Sequence, residues 1–220
     1  MISCHKKYVF LRQEKRYYIM QSIENKIIQS VAKRGRGTVF FPSDFAHIGP
    51  KSAILKALER LAAEGVVLRV ARGIYCYPKI DKELGLGMLL PTFEEIAQAI
   101  ARRDKAKIVP AGAYALNRLG LSTQVPMNVI YLTDGTSRKV SISGDRGISF
   151  KHVSPKNLAF QNELTLLINS ALKDLGQESV TEEQLSRIKT LLSNEHKDKV
   201  MADIKLMPDW IASIVRSAYE

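Results

Sequence analysis

A chain of 220 residues, 45% hydrophobic and 25% charged, is long enough to bury one large or two small cores and has an ordinary globular composition. Its formal net charge of +11 is less ordinary and favours polyanions: nucleic acid first, an anionic membrane surface or an acidic protein second. Two cysteines (Cys4, Cys76) and four scattered histidines (His5, His47, His152, His196) leave no disulfide framework and no metal-ligand spacing, and no apolar run reaches the roughly 18 residues of a membrane span.

The charge is unevenly placed. Residues 1–82 carry 16 Lys+Arg against 6 Asp+Glu, a surplus of +10, while residues 83–220 carry 17 against 16, or +1. A basic front joined to a nearly neutral back implies two jobs. The opening "MISCHKKYVFLRQEKRYYIM" is basic throughout, without an apolar h-region or a small-residue cleavage site, and does not read as a secretory signal. Residues 1–19 are expected to be an N-terminal extension outside the fold. Cys76, in an apolar strand, reads as a small core hydrophobe. The expected setting is the reducing cytoplasm, with no membrane, metal or cofactor.

From Ser22 the chain turns regular. In "SIENKIIQSVAKRG", Ile23, Ile27, Ile28 and Val31 recur at helical spacing, Ser22 is placed to cap, and Gly35 ends the element. "TVFF" (38–41) is a short β-type run, and "PSDFAHIG" (42–49) suits one short helix. "PKSAILKALERLAAEG" (50–65) gives the strongest helical pattern, with an expected apolar stripe of Ile54, Leu55, Leu58, Leu61 and Ala62 and Gly65 as its stop. "LRVARGIYCYP" (68–78) then reads as a β-hairpin turning at Arg72-Gly73. Helix, short strand, short helix, strong helix, hairpin is the order of a winged helix-turn-helix, expected over residues 20–82.

That order gives the arginines of the hairpin a role. Opposite its apolar stripe, the strong helix presents Lys51, Ser52, Lys56 and Arg60. Lys51 and Ser52 lie at its N-terminus, where free N–H groups and the dipole favour phosphate. With this helix in a major groove, the hairpin is the wing, and Arg69 and Arg72 reach the backbone or minor groove. Lys and Arg dominate, so backbone affinity is better supported than any base code. The bland alternative is a solvated helix face, and winged helices also mediate protein contacts.

In the back half, "LGLGMLLP" reads as a glycine-punctuated linker, Thr92 and Glu95 as a capping box for a helix to about Arg103, and "GAYALNRLG" as a helix stopped by Gly120. Three alternating runs, "MNVIYLT" (127–133), "RKVSIS" (138–143) and "GISFKHV" (147–153), joined by turns, are expected to form an antiparallel β-meander. Four further helical patterns follow, the last opening at Pro208. The expected fold class is α+β: residues 83–155 form a mixed domain holding the meander, and residues 156–220 a helical C-terminal region. No Gly-rich phosphate loop, paired-Cys site or G-x-S-x-G elbow is present, so no enzyme is expected.

"GTVFFPSDFAHIGPKSAILKALERLAAEGVVLRVARGIYCYP", followed by "VPAGAYALNRLGLSTQVP" and "VIYLTDGTSRKVSI", resembles the AbiEi-type antitoxins of bacterial type IV toxin–antitoxin systems and their stand-alone relatives of unknown function. The likeness covers about residues 20–155. Its most specific parts are Asp44-Phe45, Leu58-Glu59-Arg60-Leu61, Gly65 and Arg72-Gly73-Ile74-Tyr75; the helical tail after Phe160 departs from it. The resemblance implies a winged helix that represses the operon's own promoter, with double-stranded DNA contacts at Lys51, Ser52, Lys56, Arg60 and Arg72. It also implies a second domain serving antitoxicity against a nucleotidyltransferase-like toxin. A homodimer on paired half-sites fits such a regulator. The competing reading is an RNA- or protein-binding module with no promoter role.

Overall fold

The computed structural model describes residues 22–142 and 144–220. The expected extension, residues 1–19, lies outside them. The fold is α+β, and the chain divides into two compact units after Glu95.

The first unit begins with α1 (Ile23–Arg34), capped by Ser22, whose hydroxyl accepts from the Asn25 N–H at 3.2 Å. Glu24 in its first turn and Lys33 and Arg34 in its last complement the helix dipole. Strand β1 (Val39–Phe40) leads into a single 3-10 turn, Pro42–Phe45, where a short helix over 42–49 was expected. Its bonds are of the three-residue type, Ile48 N–H to Phe45 carbonyl among them, and the Asp44 carboxylate takes the Phe41 N–H at 3.2 Å. A segment closed by Gly49-Pro50 is too short to propagate an α-helix.

Helix α2 (Lys51–Ala63) follows, with Pro50 as its N-cap. Its buried residues are Ile54, Ala57, Leu58 and Leu61. The expected stripe is corrected at one position: Leu55 is 39% exposed and Ala57 takes its place inside. Spacings of three and four from Ile54 fill the buried face, and Leu55 stands about 100° round from it. Gly65, at φ +71°, lets the chain turn out of the helix while the Val66 N–H returns to the Leu61 carbonyl at 3.0 Å. Strands β2 (Leu68–Ala71) and β3 (Ile74–Cys76) make the hairpin, and the sheet order is β1-β3-β2. Ile27, Val31, Phe40, Phe45, Leu58, Leu61 and Tyr75 share one core, in which Phe40 meets Phe45 edge-on at 5.5 Å and stacks with Tyr75 at 6.0 Å.

The expected linker, from residue 84, supplies the second strand of a further hairpin whose first strand lies within the segment expected to end the winged helix. β4 (Lys79–Asp81) pairs antiparallel with β5 (Gly87–Leu89), Ile80 opposite Met88. Helix α3 (Phe93–Asp104) opens with the expected capping box: Glu95 accepts from the Thr92 N–H at 2.8 Å, and Thr92 Oγ1 accepts from the Glu95 N–H at 3.1 Å.

The second unit contains β6 (Ile108–Ala111), α4 (Gly112–Leu119), β7 (Asn128–Thr133), β8 (Arg138–Ser141) and β9 (Gly147–His152). The antiparallel meander is not what forms. The order is β6-β7-β9-β8, with β7 and β9 parallel and the other pairs antiparallel. Burial explains the rearrangement. β7 and β9 bury Val129, Tyr131, Thr133, Ile148 and Phe150 and take the centre, whereas β8, with Lys139 and Ser141 exposed, is left at an edge. At the other edge Pro110 removes an N–H from β6, and its carbonyl accepts from Ser170 Oγ at 2.8 Å.

Four helices complete the unit: α5 (Glu163–Leu175), α6 (Glu182–Leu192), α7 (Lys197–Asp203) and α8 (Asp209–Ser217). Their core contains Ile168, Leu172, Ile188, Val200 and Ile211 together with Ala115 and Leu119 of α4. The helical region expected from residue 156 onward therefore shares its interior with an element of the preceding segment. Asn162 caps α5 through the Thr165 N–H at 2.8 Å, and buried Asp203 accepts from the Gln161 and Asn162 N–H groups at 2.8 and 2.9 Å.

Candidate nucleic-acid interface

Burying Ile54, Leu58 and Leu61 against α1 and the sheet leaves one face of α2 outward. Lys51, Ser52, Leu55, Lys56, Glu59 and Arg60 are exposed along it. The Pro50 side chain makes no cap hydrogen bond, and the Ile54 N–H is the one that bonds to the Pro50 carbonyl. The N–H groups of the first turn thus point outward beside Lys51 and Ser52, the arrangement that accepts a phosphate oxygen.

The hairpin supplies the rest. Arg69 lies opposite Tyr75 in the β2–β3 pairing, a bulge between Arg69 and Ala71 alters the register, and Arg72 stands at the turn. Gly73 has φ +71° with nothing within 4 Å of a Cβ placed on it, so glycine is required there for the backbone and not for want of space.

Several cations of this unit are already engaged. Arg34 bonds Asp44 at 3.3 Å; Arg36 donates to the Pro78 carbonyl at 3.0 Å and lies 4.8 Å over the Tyr77 ring; Lys79 bonds Glu95 at 3.0 Å. Arg60, 68% exposed, donates to Glu24 of α1 at 2.9 Å. The Glu24 carboxyl is held below its ordinary range by a backbone hydrogen bond and, behind that, by Arg60. Among the described residues Lys51, Lys56, Arg69 and Arg72 form no ion pair. The six expected contact residues thus lie on one helix and the hairpin after it, with Arg60 the member whose charge is already matched.

Leu55 was assigned to the core in the sequence and missed as a surface residue. The signal was available: Ile54, Leu58 and Leu61 already complete the stripe. Beside Ser52 and Lys56 it offers an apolar contact of the kind that meets a thymine methyl.

Cys76 is buried, and desolvation, with Glu95 behind it, pushes its thiol up to about 11. Among the described residues no three His, Cys, Asp or Glu side chains are placed to hold a metal ion. No described helix is long and apolar enough to cross a membrane.

Residues 26–200 match the model of a family described as a family of unknown function, DUF6088. No curated protein matches the chain. Among solved structures, the crystal structure of the RV2827C protein from Mycobacterium tuberculosis is similar at 13% identity and a TM-score of 0.47, over 87% of this chain and 75% of that one.

Proposed function

Starting from the chain's membership of the DUF6088 family, whose function is unknown, we propose that it is a duplex-DNA-binding regulator that docks α2 in a major groove and lays the β2–β3 wing along the backbone. The observation that carries this reading is the set of four exposed cations without an ion pair, Lys51, Lys56, Arg69 and Arg72, on two adjoining elements of one core. Glu59 and Glu64 are exposed nearby and pair with none of the four, so the positive charge of this face is not neutralised by ion pairs. Phosphate contacts from these cations supply affinity, while Ser52, Leu55 and Glu59 are the side chains placed to read base edges.

The resemblance to AbiEi-type antitoxins extends the proposal. The DNA is then the chain's own promoter, bound by a homodimer in the cytoplasm, and the second unit opposes a nucleotidyltransferase-like toxin. This reading asks for no reaction from the chain itself.

The test is a gel-shift titration on the DNA upstream of the gene, against unrelated duplex, at two salt concentrations. Preference for the upstream duplex that survives added salt, lost at least tenfold in Lys56→Glu/Arg72→Glu, supports the reading. Normal binding by that double variant sinks it, and equal, salt-labile binding to both duplexes removes the promoter claim.

A further inference from the structure

The near-neutral back half conceals a division. Residues 96–160 carry 10 Lys+Arg against 3 Asp+Glu, or +7, and residues 161–220 carry 7 against 10, or −3. The stretch that builds the four-stranded sheet is therefore more basic than residues 22–82 of the winged helix, where 11 against 5 gives +6.

Strand register gathers much of this charge at one end of the sheet. The antiparallel β6–β7 pairing sets Ile108 opposite Thr133, and the parallel β7–β9 pairing sets Thr133 beside His152. The β8–β9 pairing brings Arg138 opposite Phe150. Arg138, on the Phe150 face, and Lys151, on the opposite face, thus both lie near that end; Lys107 leads into β6 there, and the last turn of α3, whose Asp104 reaches Arg138, carries Arg102, with Lys105 following. Asp104 bonds both Arg103 (2.8 Å) and Arg138, and the Arg138 guanidinium lies 5.3 Å over the Phe150 ring. One carboxylate shared by two arginines leaves the positive charge in excess. Burial, then the neighbouring Arg103 charge, lowers the Arg138 pKa. The Asp134 carboxylate accepts the Lys107 backbone N–H at 2.8 Å. Among the described residues Arg102, Lys105, Lys107 and Lys151 form no ion pair, and all four are exposed.

Lys105 is a second, independent sign. Among the described residues it is the one non-glycine residue at positive φ, +54°, in the turn that ends α3. The N–H groups of Lys105 and Ala106 return to the Arg102 and Ala101 carbonyls at 3.3 and 3.0 Å, the arrangement in which glycine is the unstrained choice. A lysine there puts charge at the rim at the expense of local backbone strain, and such outliers cluster at functional sites.

The chemistry of the rim selects its partner. None of the unit's Phe, Tyr or Trp rings is an exposed stacking platform: Tyr131, Phe150 and Phe160 are buried, and Tyr114, Trp210 and Tyr219 are half-buried. Its large exposed apolar side chains, Val125 and Met127, lie by the opposite end of β7, so the rim lacks the apolar centre of a protein interface. What remains is a group of flexible cations at one end of the sheet: Lys107 just before β6 and Lys151 on β9, two strands or roughly 10 Å apart at about 4.8 Å per strand, with Arg102 and Lys105 at the end of α3. We propose that Arg102, Lys105, Lys107 and Lys151 form a second nucleic-acid contact that binds the sugar–phosphate backbone of duplex DNA without reading its bases. This site goes beyond the winged-helix reading and stands on separate residues.

The experiment titrates the full chain onto an unrelated 30-bp duplex over a salt series and takes the slope of log affinity against log salt. Three chains are used: wild type, Lys105→Gly/Lys107→Gln/Lys151→Gln, and Lys56→Ala/Arg72→Ala. The rim variant should melt no lower than wild type, since Lys105→Gly relieves the turn, and its slope should shrink by about 2.7, three contacts at about 0.9 each. An unchanged slope in a folded rim variant overturns the inference. A full loss in the rim variant with normal binding by Lys56→Ala/Arg72→Ala upholds it while removing the α2 reading. A single-stranded RNA of equal length that loses more affinity than the duplex overturns the assignment to duplex DNA.

Discussion

In the first unit the four proposed contacts, Lys51, Lys56, Arg69 and Arg72, lie on one helix and the hairpin after it, whereas in the second unit Arg102 and Lys151 sit on elements far apart in sequence that strand pairing helps bring to one end of the sheet. The first surface is specified locally. Its residues lie on the exposed side of α2 and the tip of β2–β3, and the core under them holds both in place. The second is specified by topology: a meander would have kept the β8–β9 hairpin and its Arg138–Phe150 pair, but would have put β8 between β7 and β9 and so moved Lys151 one strand further from β6. A locally written surface changes residue by residue. A topological one depends on whatever fixes the strand order.

The strongest way to break this contrast is Phe150→Ala. That ring stacks on Tyr131 at 5.9 Å and lies beneath Arg138. Its loss should cost about 3–5 kcal/mol by urea denaturation and remove the rim's share of the salt slope. A cost under about 1 kcal/mol would mean that the strand order does not rest on this cluster. Next comes a pair of helix caps, one from each unit. Asn162→Ala leaves the buried Thr165 N–H and hydroxyl without their acceptor and should cost about 1–3 kcal/mol, whereas the less buried Ser22→Ala should cost about 1 kcal/mol or less. Equal losses would deny that burial separates the two.

Leu55→Ala sharpens the local side of the comparison. Stability should stay within about 0.5 kcal/mol because the residue is partly exposed, while affinity for the preferred duplex should fall roughly threefold to tenfold and unrelated duplex be unaffected. Loss of stability without loss of preference would return Leu55 to the core. The smallest effect belongs to Glu24. Its folded pKa is lowered, so its contribution is complete above the ordinary 4.5 and is lost as pH falls through the folded value. Exposed pairs of this kind are worth about 0.2–1 kcal/mol, so Glu24→Gln should slightly narrow the difference in urea midpoint between pH 7 and pH 3. A difference identical to wild type would leave the Arg60 pair without energetic weight.

Much of the first unit was legible because its signals are short-range. Ser22, Gly65 and Arg72-Gly73 each act within a few residues of themselves, and the structure has them where the pattern puts them. Leu55 was misplaced because apolar character alone does not say where a stripe ends. The 42–49 segment was overcalled as a helix because periodicity ignores how few residues stood before Gly49-Pro50. In the second unit the strands themselves were legible, but their order was not. β7 and β9 pair in parallel across the intervening β8, a long-range choice made by which strands can be buried on both sides. The rim could not be seen for the same reason, and a net charge summed over the whole back half averaged it away.

The two margins of the second sheet also bear on how the protein behaves when concentrated. A bare strand edge is a template on which another chain can add a strand. Here β6 offers a proline whose carbonyl is already occupied by Ser170, and β8 offers Lys139 to solvent. Neither side presents an unguarded row of donors and acceptors, so growth of this sheet into ribbons or fibrils is blocked at both ends. Replacing the two guards together, Pro110→Val with Lys139→Val, would turn a self-limiting sheet into one that can polymerise.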